Sequence, residues 1–231
     1  MDNIPPGGSL IVSNHSGGMV TLDLSVFATD FYDKFGYDRP LYALGHDSLF
    51  VGPAAEFLRA RRGHPRDMRQ RCEGAGSRRT CAGFPGDYDA YRPSVQENVI
   101  GFGGRTGYVT TAIEAGVPIV PVVSIGGQEN QLYLTRGRRL ARALGLSNLG
   151  KKLFRSDMLP VTFGFPFGFS VLFPVNMPLP TKIVDQVLHP IDIAAEFGDD
   201  PDVDEVDAHV RSIMQDALNE LVRKRRLPVL G

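Results

Sequence analysis

Apolar residues along this chain fall into short runs separated by turn formers, not into one long stripe. Ser9–Ser13 follows a Pro-Pro-Gly-Gly turn and predicts a buried strand. From Leu22 to Tyr32, Leu22, Val26, Phe27 and Phe31 recur near helical spacing and predict a helix. Pro40–Leu44 reads as a second strand, and Ser48–Arg59 as a helix interrupted at Gly52-Pro53. Arg105–Ala115 is a further helix, closed by Gly116 as a glycine past a helix end closes it. Val117–Val123 is an apolar strand broken by prolines. Leu140–Leu153 is short, basic and amphipathic. The last helix spans Val203–Arg226, with Val206, Val210, Ile213, Met214, Ala217 and Leu221 on one stripe. Strands alternating with helices, and no internal repeat, predict an α/β fold: one domain over residues 1–231, a mixed but mostly parallel sheet flanked by helices.

Length and charge narrow the function. A chain of 231 residues with 42% hydrophobic residues supports one ordinary core, and a net charge of −1 argues against a nucleic-acid partner. Two cysteines, Cys72 and Cys81, make neither a disulfide framework nor a metal knuckle, and fit a reducing compartment. The start of the chain has no basic segment followed by an apolar one. The longest charge-free run, Met158–Pro180, contains five prolines, which oppose a spanning helix. A soluble or membrane-peripheral protein is expected.

Four segments carry candidate chemistry. In Asn14-His15-Ser16-Gly17-Gly18, a histidine leaves a buried strand and enters a glycine-rich loop, where α/β sheets place reactive groups. A neutral imidazole can take a proton from a hydroxyl, and needs a partner to fix its tautomer. Asp23, at the start of the next helix, is the nearest carboxylate in sequence. The competing reading is a loop histidine without a role. The second segment, Phe84-Pro85-Gly86-Asp87-Tyr88-Asp89-Ala90-Tyr91-Arg92, gathers carboxylates, phenols and a guanidinium in one loop, which equally describes a solvated polar loop. The third, Gly101–Gly107, opens a helix as either an anion cradle or a plain entry turn, and lacks dinucleotide spacing. The fourth is Gly116–Glu129, whose buried strand is structural and whose polar end could reach the site.

Taken in order, the blocks Asn14–Gly18, Phe84–Tyr88 and Gly116–Val123 resemble the glycerolipid and lysophospholipid acyltransferase family, especially its Asn-His-Ser-Gly-Gly subgroup, many of whose members are actinobacterial. The resemblance covers roughly half the chain. It implies a glycerolipid-acyltransferase-like fold in which His15, oriented by Asp23, is the general base. A fatty acyl chain would pass from acyl-CoA or an acyl carrier protein to the hydroxyl of a lysophospholipid or glycerolipid, without an acyl-enzyme, a metal or a bound cofactor. Ser16, Gly17 and Gly18 would form the oxyanion and thioester loop. Phe84, Pro85, Gly86, Asp87, Tyr88 and Arg92 would bind the acceptor. Membrane lipids would be the partners, at the inner face of a bacterial plasma membrane, in phospholipid biosynthesis.

The sequence departs from the family pattern in two places. The family's usual pattern is His, four intervening residues, then Asp; that position is Val20 here, so Asp23 serves only if the loop folds back. Asp87 and Tyr88 stand where the family's phosphate-binding Thr-Arg is usual, which puts a phosphate-bearing acceptor in doubt. The alternatives are a catalytically impaired lipid-binding relative, or a lipid ester hydrolase. The latter lacks a Gly-x-Ser-x-Gly elbow.

Two further expectations concern whole segments. Arg136, Arg138, Arg139, Arg142, Lys151, Lys152 and Arg155, with no acidic residue among them and leucines interleaved, predict a membrane contact, led by Arg138, Arg139, Arg142, Lys151 and Lys152. The Phe163–Phe173 run adds an apolar contact, an acyl-chain wall or buried core. Arg59–Gly83 holds eight arginines and both cysteines with no periodicity, and reads as an irregular, out-of-frame stretch where a central strand is due. Relatives in the family carry a helical segment ahead of the first strand, so the resemblance implies its lack here.

Overall fold

The computed structural model describes residues 1–15, 22–43, 80–83, 98–127, 129, 131–148, 159–171, 176 and 179–225. Its main sheet has five strands in the order β2-β3-β1-β4-β8. These are β1 (Ser9–Ser13), β2 (Leu41–Ala43), β3 (Thr80–Gly83), β4 (Ile119–Ile125) and β8 (Val184–Val187). The first four are parallel, and β8 closes the β4 edge antiparallel. Helix α1 (Leu22–Phe35) covers one face of the sheet, packing Phe27 and Phe31 on Ile11, Val120 and Val122. Helices α2 (Gly107–Ala115) and α5 (Val203–Lys224) cover the other, around Leu10, Val12, Ile119 and Val123. With both faces covered, β1 and β4 are buried at every position and show no two-residue alternation. The fold is a mixed, mostly parallel α/β domain.

Local chemistry explains the element boundaries. Gly116 ends α2 in the left-handed conformation at φ 61°, and its N–H and that of Val117 return to carbonyls of the last turn. Helix α5 starts at Asp202, whose side chain accepts from the Asp204 N–H; acids fill its first turn and Arg223 and Lys224 its last. Its stripe runs through Val206, Val210, Met214 and Leu218, all buried. Strand β4 continues straight through Pro121 rather than breaking there. The Pro121 carbonyl accepts from Leu188, so the N–H that proline lacks would point to the same side, beyond the last paired residue of β8.

Two expectations need correcting. The end of the Arg59–Gly83 stretch is not irregular: Thr80–Gly83 is a buried strand, paired with β1 on one side and β2 on the other. Small side chains suffice there because backbone hydrogen bonds on both edges hold the strand; residues 59–79 lie outside the described residues. Cys81 is disulfide-bonded, where the sequence reading expected thiols in a reducing compartment.

A second sheet was not anticipated. Strands β5 (Leu132–Thr135), β6 (Val161–Gly164) and β7 (Gly168–Val171) form an antiparallel sheet, with helix α3 (Arg138–Ala143) following β5. A short helix, α4 (Ile193–Phe197), precedes α5. Among the described residues, no helix is long and apolar enough to cross a membrane.

Met214 is fully buried between α5 and the sheet. Met214→Ala should lower unfolding stability by roughly 2–5 kcal/mol through lost burial and a residual cavity. Urea denaturation measures this, and a loss under about 0.5 kcal/mol, the surface-mutation range, would mean that α5 is not packed as described.

Candidate active site

The C-terminal end of β1 is where the chemistry collects. β1 lies between β3 and β4 in the parallel part of the sheet, and open α/β sheets bind ligands beyond the carboxyl ends of their strands. Two residues past β1, His15 is nearly buried. Its Nδ1 lies 3.1 Å from the Asp23 Oδ2, and Asp23 is 1% exposed. The other Asp23 oxygen accepts from the Leu24 N–H at 2.8 Å. Asp23 therefore sits in the first turn of α1, where the helix dipole favours a carboxylate. An Nδ1–H donated to that carboxylate leaves Nε2 of neutral His15 as the basic atom.

Asn14 holds this loop against the sheet. Its side-chain Oδ1 accepts from the Ser124 N–H at 2.8 Å, and its Nδ2 donates to the Ser124 carbonyl at 2.9 Å. Backbone pairing between β1 and β4 runs to Ser13 and Val122. The Asn14 amide thus adds one more rung, made by a side chain, immediately before the histidine. Gly126, just past β4, has φ 104°, and a Cβ there would stand 2.1 Å from the Lys182 carbonyl.

A second carboxylate was missed in the sequence. Asp185 on β8 pairs across from Ser124 and lines a narrow crevice with Asp23, Ser13, Ile11, Phe27 and Val122. Burial pushes its carboxyl up to about 7, and the Asp23 and Asp30 carboxylates add to the effect, while the Ser124 hydroxyl works against it. The run Ile183-Val184-Asp185-Gln186-Val187 has no strict alternation, so nothing in it marks Asp185 as inward-facing.

The other sequence candidates divide. Gly83 is in register with Val12, so the chain enters the Phe84–Arg92 loop from the same end of the sheet as His15. Phe84, Pro85, Gly86, Asp87, Tyr88 and Arg92 lie outside the described residues, as do Ser16, Gly17, Gly18, Lys151 and Lys152. Arg138, Arg139 and Arg142 are on α3, the first half-buried and the other two exposed. Glu129 turns away to Arg225 past the end of α5, at 2.6 Å. Gly103 and Gly104, both at positive φ, form the turn that feeds α2.

Comparison with known proteins gives relatives without an assigned activity. The chain is 29% identical over 238 residues to uncharacterized proteins of Mycobacterium tuberculosis and Mycobacterium bovis, the match covering 98% of this chain. An uncharacterized protein of Mycobacterium leprae matches at the same identity. The chain spans 61% of the length of the M. tuberculosis relative. No protein-family model and no solved structure matches it.

The Asp185 carboxyl makes a pH prediction. Its folded value lies above the ordinary 3.8, so between that value and about 7 the folded protein keeps a proton that the unfolded chain has released. Its contribution to stability falls as pH rises through that window, and the whole cost of the buried charge is present above it. Asp185→Asn, never charged, should be more stable than the parent by on the order of 2 kcal/mol at about pH 8, with the gain vanishing towards about pH 4. Parallel stability curves for the two proteins across that range would mean that Asp185 titrates like a solvated acid.

Proposed function

We propose that this chain is an O-acyltransferase that moves a fatty acyl group from acyl-CoA, or from an acyl carrier protein, to a lipid hydroxyl. The observation that carries the reading is the buried His15–Asp23 pair at the C-terminal end of the central parallel strand. Nε2 of His15 would take the proton of the acceptor hydroxyl as its oxygen attacks the thioester carbonyl. The tetrahedral oxyanion needs hydrogen-bond donors, a role assigned to the Ser16–Gly18 loop. Its collapse breaks the C–S bond, and the leaving thiolate recovers the proton from His15. The products are an ester and a free thiol, with no acyl-enzyme. Asp23 holds the productive tautomer and stabilises the imidazolium while it lasts. Lysophospholipids or glycerolipids are the acceptor class, met at the inner face of the plasma membrane.

Transfer of a labelled acyl group from acyl-CoA to a panel of lipid acceptors tests this. His15→Ala should lower transfer by at least about a hundredfold, and Asp23→Asn by less, both with folding intact. A His15→Ala protein that turns over at the parent rate would remove the mechanism. Rapid release of free fatty acid with no acceptor present would identify a hydrolase instead.

A further inference from the structure

The β5–β6–β7 sheet has its polarity reversed. Its inward positions carry hydroxyls: Tyr133, Thr162 and Ser170 are buried, and Thr162 and Ser170 share a hydrogen bond of 2.6 Å. Its outward positions are apolar. Leu132, Leu134, Phe163, Phe169 and Val171 are 42–69% exposed, with Phe163 and Phe169 packed edge to face across the strands. At the β6–β7 turn, Phe165 and Phe167 are 74% and 66% exposed. A sheet with one wet face normally turns its polar side chains to the water. A contiguous outward apolar face therefore points to a partner.

Charge selects that partner. Helix α3 begins three residues after the edge strand β5. It exposes Arg139 and Arg142 beside Leu140 and Leu144, while Ala141 faces in. From Gln131 to Ser156 the chain carries seven basic residues and no acid. Exposed phenylalanines on the sheet and its hairpin tip, together with arginines and leucines on the short helix that follows the other end of β5, match the interface of an anionic bilayer: rings and leucines among the acyl chains, guanidinium groups at the lipid phosphates.

We infer that the outward face of the β5–β6–β7 sheet, with Arg139 and Arg142 of α3, is the surface that the protein lays on an anionic lipid bilayer. The inference deepens the acyltransferase reading by naming the surface through which a lipid acceptor would be reached. Its test does not depend on turnover.

Flotation of the full chain with phosphatidylcholine vesicles, with and without phosphatidylglycerol, is the experiment. The parent protein should float with the anionic vesicles, and added salt should weaken the association. Phe165→Ser combined with Phe167→Ser should weaken it at least about tenfold. Arg139→Glu combined with Arg142→Glu should weaken it roughly thirtyfold or more, and remove the preference for phosphatidylglycerol. All four side chains are wholly or largely in solvent, so thermal melting should be unchanged; if the Phe pair misfolds, the Arg pair still decides the matter. His15→Ala should float like the parent, so loss of transfer without loss of flotation separates the catalytic reading from this one. A parent protein that ignores vesicles would overturn the inference. So would variants that float like the parent, or Phe substitutions that only convert a dimer into a monomer in sedimentation.

Discussion

The site depends on β1 being held along both edges. Parallel hydrogen bonds to β3 and β4 fix its direction and register, so its last residue always ends at the same point. A histidine two residues further on then has a defined start, and the Asn14 amide removes most of the freedom that remains by bonding both backbone groups of Ser124. The first turn of α1 arrives at the same end of the sheet and presents Asp23. Without that double anchoring, a glycine-rich loop could not hold an imidazole within 3.1 Å of a carboxylate eight residues away in sequence.

Burial makes this arrangement electrostatically demanding. Asp23 is almost wholly removed from solvent and is supported by His15 and a helix N-terminal N–H. Asp185 lines the same crevice from the far strand. Burial above all pushes the Asp185 carboxyl up, and the carboxylate of Asp23 adds to it. The Asp23 Oδ2 facing Nδ1 is what fixes the tautomer of His15.

The two sheets solve opposite solvent problems. The five-stranded sheet has helices on both faces and can be apolar throughout. The three-stranded sheet turns Tyr133, Thr162 and Ser170 towards the protein, where Thr162 and Ser170 bond each other and Ser170 accepts from Asn176, and leaves its phenylalanines outside. Asn176 also accepts from the Phe167 N–H and donates to the Gly168 carbonyl, which ties down the turn that carries the exposed rings. The hairpin is therefore held from its polar side, an arrangement suited to presenting apolar residues without collapse onto them.

Much of the architecture was legible in the residues alone. Ser9–Ser13 came out as a strand because a short apolar run follows a turn, and α5 because its apolar spacing persists from Val206 to Leu221. Gly116 marked a helix end for a reason internal to its own backbone. What the residues could not convey was which distant groups share a space. The β3 strand is built from Thr80, Cys81, Ala82 and Gly83, a composition with little strand propensity beyond Thr80, and both its edges are paired. Asp185 looked like any acid on a polar strand until the antiparallel return of β8 placed it across from Ser124 and beside Asp23. The phenylalanines of β6 and β7 read equally well as core or surface, because alternation identifies two faces of a strand and only packing decides which of them meets water.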